Sequence, residues 1–248
     1  HLPQLLQALK SGQRMITLDD GSLGILPEEW LAKLAPFVGL AKATDEGLRL
    51  SKVQALFLTA SLDENVNFTA DQKFKSLKNI ISDLKNLDPE ESSPNLKGQL
   101  RDYQKLGLSW LSMIAKHEIG GILADDMGLG KTIQVLALLA NRNSKLPSLV
   151  LAPKSLIFNW QNEAAKFTPH LKVLVYAGNS RHELLKLIPK YNIVLATYQT
   201  LRNDIEAFQK QNFQYLILDE AHNLKNAHSQ ITMAAKLLTA EKKIALTG

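Results

Sequence analysis

Gly121-Ile122-Leu123-Ala124-Asp125-Asp126-Met127-Gly128-Leu129-Gly130-Lys131-Thr132 joins an apolar run of strand length to a glycine-bearing turn, and Ile133-Gln134-Val135-Leu136-Ala137-Leu138-Leu139 continues it as a helix. Strand, glycine-rich turn, Lys-Thr and helix, in that order, form the context that a phosphate-binding loop requires. Gly128 and Gly130 allow successive backbone N–H groups to wrap a phosphate, and the helix N-terminus adds partial positive charge. Asp126, Met127, Gly128, Leu129, Gly130, Lys131 and Thr132 are therefore the expected nucleotide cradle. Lys131 is placed to reach the β- and γ-phosphates, and the Thr132 hydroxyl to hold magnesium. One position departs from the generic pattern, which asks for glycine six residues before the lysine; Asp125 stands there.

Around this loop the chain alternates apolar runs with helix-length amphipathic stretches: GGILA, SLVLAP, KVLVYA, NIVLATY, YLILDEA and KIALTG. Strands apolar throughout and separated by helices belong to a parallel sheet covered on both faces. Residues 99–248 thus read as a doubly wound α/β domain, with ligands expected at the carboxyl ends of its strands. The run YLIL leads straight into Asp219-Glu220-Ala221-His222, 88 residues after Lys131. Two adjacent carboxylates at the end of a buried strand are costly unless something binds them. Asp219 suits a magnesium ligand and Glu220 a base for an attacking water, the division of labour that phosphoryl transfer to water needs.

The polar stretch NLDPEESSPNLKG, residues 86–98, marks a break between two textures. The expected organisation is a small α+β accessory region over 1–86, a linker over 87–98 and the α/β domain over 99–248. Within the first region, MITL and LGIL flank Asp20-Gly21 as a hairpin, Pro27 opens a helix through EEWLAKLAPFV, and Thr69-x-x-Gln72 caps another that runs to about Leu87. Residues 1–98 carry 11 Lys+Arg against 13 Asp+Glu, whereas residues 99–248 carry 18 against 11. A basic second domain fits a polyanionic partner. The 248 residues contain no cysteine, which excludes a disulfide framework and a thiolate metal site. No apolar run approaches the roughly 20 residues of a membrane-spanning helix, and a secretory signal layout is absent.

The segments LRDYQKLGLSWL, ILADDMGLGKTIQ, LVLAPKSLIFNWQNEAAKF, IVLATYQTLRND, LILDEAHNLKN and IALTG, in this order, resemble the Swi/Snf-type ATPases, the DNA-translocase branch of helicase superfamily two. In that family aspartate is characteristic at the position of Asp125, and Lys225-Asn226 after the acidic motif favours this branch. The resemblance implies a RecA-like doubly wound parallel sheet, ATP and magnesium as ligands, and double-stranded DNA as partner. It also implies DNA-bound proteins such as RNA polymerase as targets, no membrane, and a nucleoid-associated cytoplasmic or a nuclear setting according to the organism. Gln104, 27 residues ahead of Lys131, then resembles the adenine reader; a side-chain amide can pair with both the amino group and N7 of adenine. Pro153, Lys154 and Ser155, and likewise Thr197 and Tyr198, match segments that touch the DNA backbone, while His222 and Thr247 match positions that relay nucleotide state. Trp160 and Phe158, aromatic residues at helical spacing, read as core packing.

The first residue is His1 and the last three are Leu246-Thr247-Gly248, inside a segment that in the family continues Thr-Pro. The expectation is therefore a fragment that binds ATP but hydrolyses it poorly, because an arginine finger from a second lobe is worth on the order of 10³–10⁵ in rate. Two other readings compete: a strand-separating helicase of a neighbouring branch, and a non-hydrolytic nucleic-acid-binding scaffold. Asp125-Asp126-Met127 and Lys225-Asn226 speak against the first, and the intact Lys131, Asp219 and Glu220 against the second.

Overall fold

The computed structural model describes residues 86–141, 144–226 and 229–248 without a break, and earlier in the chain residues 8, 13, 15–17, 21–25, 28, 42–44, 47–61, 72, 77, 80, 81, 83 and 84. The chain divides into two compact units, His1–Asn86 and Leu87–Gly248. In the first, β1 (Met15–Thr17) pairs antiparallel with β2 (Leu23–Ile25), and Gly21 takes the left-handed φ of 80° that the tight connection demands. A second short ladder joins β3 (Lys42–Thr44) to β4 (Gly47–Arg49). Helix α1 (Lys52–Ser61) starts on a reciprocal cap: Ser51 N–H donates to Gln54 Oε1, and Gln54 N–H donates to Ser51 Oγ. The expected cap at Thr69 and most of the helix after Pro27 lie outside the described residues, although Glu28, Gln72, Leu77, Ile80, Ile81 and Leu84 are helical.

The second unit is built on six parallel strands in the order β5-β10-β9-β6-β8-β7. They are β5 (Gly121–Leu123), β6 (Ser148–Ala152), β7 (Val173–Val175), β8 (Ile193–Thr197), β9 (Phe213–Leu218) and β10 (Ala240–Leu246). Each corresponds to one of the six apolar runs of the sequence. The inner strands have no polar face because helices cover both sides: every residue of β6 is buried, as are the first four of β8 and the first five of β9. The helices are α2 (Asp102–Lys116), α3 (Lys131–Ala140), α4 (Lys154–Phe167), α5 (Arg181–Leu184), α6 (Tyr198–Asn203), α7 (Ile205–Gln209) and α8 (Gln230–Leu237). Helix α3 is buried over all eight residues from Ile133 to Ala140, and all of these but Gln134 are apolar, so it has no polar stripe. This is the RecA-like α/β architecture, and it sends β5, β9, β6 and β8 to one common edge at their carboxyl ends.

Residues 87–98, expected as a linker, are fastened to this second unit. Ser109 Oγ on α2 accepts from Glu90 N–H at 2.7 Å and lies 2.6 Å from the Asp88 carbonyl oxygen. Asn141, just past α3, donates to Glu90 Oε1 at 3.1 Å and accepts from Ser93 N–H at 2.9 Å. Lys97 N–H reaches the carbonyl of Phe167 at the end of α4, and Leu96 is buried. Ser109, Asn141 and the Phe167 carbonyl thereby hold this polar strap against the helices of the second unit.

At the β7–β8 side of the sheet a charged group is built into the core. Asp204, between α6 and α7, accepts from Arg181 Nη2 at 2.9 Å and Tyr176 Oη at 3.1 Å, and Arg181 Nε also donates to it. His182 Nε2 lies 3.8 Å away. The Arg181 hydrogen bonds, helped by Tyr176, hold the Asp204 carboxyl below the usual carboxylate range against the opposing effect of burial. Burial and the neighbouring carboxylate push the Tyr176 phenol up to about 12. The stability that Asp204 contributes is present above the ordinary carboxylate pKa and is lost as pH falls through its lowered value. Asp204→Asn is expected to cost about 2 kcal/mol near neutral pH by removing the charge-assisted hydrogen bonds from the half-buried Arg181, and to flatten the acid-side loss of stability. Urea unfolding of both proteins between neutral pH and the acid limit measures this; parallel curves would contradict it.

Candidate active site

The loop between β5 and α3 closes on itself around Lys131. Its ammonium donates to the carbonyl oxygens of Asp125 at 2.7 Å and Asp126 at 3.2 Å. Gly128 and Gly130 have φ of 84° and 78°, left-handed values that a side chain resists. Gly130 also admits a close neighbour, since a Cβ there would stand 2.6 Å from Gln104 Nε2. The rim is open to solvent: Asp126, Met127, Gly128 and Leu129 are exposed, with Thr132 half-buried in the first turn of α3.

Asp125 occupies the position where the generic loop has glycine, and the structure gives the reason. Its main-chain oxygen receives Lys131, while its carboxylate accepts from Gln134 Nε2 at 3.1 Å. Gln134 is fully buried on α3, and its Oε1 sits where a Cβ on Gly107 would be, 1.8 Å away. The carboxylate therefore clamps the start of the loop to its helix. Gln134 was absent from the sequence-derived site, although a lone glutamine within IQVLALLA was a readable signal.

Gln104 is buried beside the loop, with both ends of its amide engaged. Oε1 accepts from Arg101 N–H at 3.0 Å, which starts α2, and Nε2 donates to the Leu129 carbonyl at 3.1 Å. Tyr103 Oη donates to the same carbonyl at 3.2 Å. Helix α2 is thus tied to the turn of the cradle.

Asp219 follows β9 directly and is held on every side. Its N–H continues the ladder to Leu151 O at 2.8 Å, and its carbonyl accepts from Tyr198 Oη at 2.7 Å. One carboxylate oxygen accepts from the Trp160 indole N–H at 2.7 Å, the other from Glu220 N–H at 3.0 Å. Burial pushes the Asp219 carboxyl up; the two hydrogen bonds and the Lys131 charge pull the other way. Lys131 and Asp219 therefore act on one another, with β10 lying between their strands.

Glu220 adopts φ 52° and ψ 51°, left-handed geometry that costs a non-glycine residue about 1–2 kcal/mol. Asn223 secures the turn by donating to the Glu220 carbonyl at 2.8 Å. The bend leaves Glu220 Oε2 buried, 3.0 Å from His222 Nδ1 but without an aligned hydrogen bond. A strained backbone carrying an unsatisfied carboxylate oxygen is an arrangement found where a ligand completes the site. Thr247 N–H donates to Leu123 O at 3.1 Å, and a Cβ on Gly248 would lie 3.3 Å from Lys131 Nζ. The carboxyl ends of β5, β10 and β9 thus converge on one place.

The profile of the SNF2-related domain matches residues 103–248. The chain belongs to the SNF2-related family. This SNF2-related chain is 34% identical over 230 residues to the putative ATP-dependent helicase/translocase YwqA of Bacillus subtilis, covering 84% of the chain and 25% of that protein. It is 36% identical over 184 residues to the TATA-binding protein-associated factor MOT1 of Saccharomyces cerevisiae, covering 65% of the chain and 10% of that protein. The Sulfolobus solfataricus SWI2/SNF2 ATPase core in complex with dsDNA superposes with a TM-score of 0.59 at 40% identity, covering 65% of this chain and 34% of that one. The SNF2-related chain thus spans a tenth to a quarter of the length of these two curated relatives.

The residues expected beside a nucleic-acid backbone sit at the same edge, past β6 and β8. Pro153 is the N-cap of α4, and Lys154 and Ser155 are exposed in its first turn. Thr197 caps α6, its hydroxyl accepting from Thr200 N–H at 3.0 Å. Tyr198 is placed otherwise: its side chain is buried, and its hydroxyl is spent on Asp219. Burial and the charges of Asp219 and Glu220 push that phenol well up. Of the two aromatic residues read as core, Trp160 is buried, whereas Phe158 is 70% exposed, because the apolar stripe of α4 runs through Trp160 and Ala164 and leaves position 158 outside.

Gly130→Ala and Gly128→Ala are both expected to destabilise the lobe by about 1–2 kcal/mol from the left-handed backbone alone. Only Gly130→Ala must also displace the Gln104 amide, so urea unfolding should show it to be the more costly of the two. Equal losses would count against the tether between α2 and the loop.

Proposed function

We propose that this chain is the ATP-binding first lobe of a double-stranded-DNA-dependent ATPase that moves along DNA and remodels protein–DNA complexes. The convergence of Lys131, Asp219 and Glu220 at the carboxyl ends of β5 and β9 carries this reading. Magnesium fits the donor set: the Thr132 hydroxyl and the Asp219 carboxylate are hard oxygen ligands of the kind it takes alongside substrate phosphates. Magnesium held by Thr132 and Asp219 would supply positive charge against the phosphate charge that develops during transfer.

The remaining work falls to the chain. Lys131, held on two neutral carbonyls, exchanges them for the more strongly accepting phosphate oxygens. The amides around Gly128 and Gly130 wrap the phosphates. Glu220, with its buried oxygen short of a partner, takes the proton of the attacking water. His222 beside Glu220 and Thr247 beside the loop are the groups that sense nucleotide state. Gln104 reads adenine by re-pairing the amide that now joins α2 to Leu129.

Lys154, Ser155 and Thr197 supply sequence-independent contacts to the DNA backbone from helix N-termini. Tyr198 serves that edge from beneath, through its buried hydroxyl. DNA-bound proteins such as RNA polymerase are the targets, in the nucleoid or nucleus according to the organism. Hydrolysis draws on an arginine finger from a second lobe, so this lobe by itself binds ATP and hydrolyses it poorly. Hydrolysis by the full-length protein with and without duplex DNA, together with a strand-displacement assay, tests the reading: stimulation without unwinding supports it, unwinding supports a strand-separating helicase, and no hydrolysis supports a scaffold.

Lys131→Ala is expected to abolish or greatly weaken ATP binding, while Glu220→Gln keeps binding and eliminates turnover in the full-length protein. Calorimetry of ATP binding and steady-state hydrolysis separate the two; normal ATP binding by Lys131→Ala would overturn the phosphate-loop assignment. Lys154→Ala is expected to weaken all duplexes alike and to lower the slope of log affinity against log salt by about one, as loss of a single phosphate contact requires. Titrations of unrelated duplexes at several salt concentrations check this, and a sequence-dependent loss would contradict it.

A further inference from the structure

Asp219 lies at the middle of the sheet edge, with the phosphate loop on one side and the helices that follow β6 and β8 on the other. Two hydrogen bonds join it to those helices. Trp160 on α4 holds its carboxylate, and Tyr198, the first residue of α6, holds its carbonyl. Both donors are buried, so neither bond has water as a ready substitute.

The same helices begin at Lys154 and Ser155, both exposed, and at the half-buried cap Thr197. A helix rises 1.5 Å per residue, so Lys154 and Trp160 are about 9 Å apart along one rigid element. Thr197 and Tyr198 are adjacent. A phosphate bound at either helix start therefore pulls on an element whose next buried polar anchor is Asp219.

We propose that Trp160 and Tyr198 are positioning residues through which the DNA-facing ends of α4 and α6 set the orientation of Asp219, so that stimulation of hydrolysis by DNA depends on these two hydrogen bonds. The inference rests on the functional reading above and assigns the contacts that join its two ligands. The Asp219 carboxylate can turn only if the indole follows, and its main chain can shift only with the Tyr198 hydroxyl. Duplex binding thereby has a direct mechanical hold on a residue beside the phosphates.

The test uses the full-length protein and the substitutions Trp160→Phe and Tyr198→Phe, which keep an aromatic ring and remove the donor. The ratio of kcat with saturating duplex to kcat without it is expected to fall on the order of tenfold in each, within the usual range of coupling between two ligands. For Trp160→Phe the KM for ATP and the half-saturating DNA concentration should stay within about threefold, since the coupling is lost and not the binding. Loss of packing alone would raise KM or lower the melting temperature with the ratio preserved, and that outcome overturns the proposal.

A second measurement does not depend on the variants being active. In the ¹⁵N–¹H spectrum of this chain, the Trp160 indole resonance, assigned by its loss in Trp160→Phe, should move on addition of magnesium and a non-hydrolysable ATP analogue, and again on addition of duplex. A resonance indifferent to both overturns the proposal. A full-length protein without duplex stimulation sinks the functional reading instead, and the indole resonance then decides the Trp160 contact by itself.

Discussion

A carboxylate at the end of the innermost part of a parallel sheet needs partners, because burial penalises its charge and the strand supplies no side chains to relieve it. Asp219 meets that requirement with the Trp160 indole and the Glu220 amide on its two oxygens, and with Leu151 and Tyr198 on its main chain. Those four contacts fix where β9 ends, where α4 and α6 must lie, and where the chain turns at Glu220. The rest of the edge is arranged about this point.

The turn at Glu220 illustrates how local cost is carried by tertiary support. Left-handed backbone at a glutamate is unfavourable, but Asn223 and the rigid end of β9 hold it in place. The same logic governs the phosphate loop, where two glycines relieve the backbone and Asp125 replaces a third. Its carboxylate finds Gln134 inside an otherwise apolar helix, so an apparent departure from the generic loop becomes an added hydrogen bond.

The polar strap over residues 87–98 and the Arg181–Asp204–Tyr176 group show a second use of polar residues, in joining elements that hydrophobic packing alone leaves free to slide. Ser109 of α2 and Asn141 pair with Asp88, Glu90 and Ser93, and Lys97 reaches the Phe167 carbonyl, which makes the strap part of the lobe. Asp204 ties the end of β7 to the junction of α6 and α7 through Tyr176 and Arg181.

Six apolar runs of strand length, spaced by helices, sufficed to determine a covered parallel sheet, since strands buried on both faces lose their polar alternation and read as continuous apolar runs. The Lys131 loop and the Asp219-Glu220 pair were legible for a similar reason: strand-to-turn chemistry is local, and few contexts tolerate those charges. Strand order, and with it the meeting of residues 88 positions apart, came only from tertiary structure. So did the fate of groups whose role depends on a distant partner. Trp160 looked like simple core because periodicity reports burial and not the direction of an indole N–H; Phe158 shared its helix but not its face. Tyr198 was expected at the DNA backbone because its segment resembles one that touches DNA in the family. Its hydroxyl instead turns inward and donates to the Asp219 carbonyl, a partner invisible to any local pattern and one that a phenol buried in a low-dielectric interior needs.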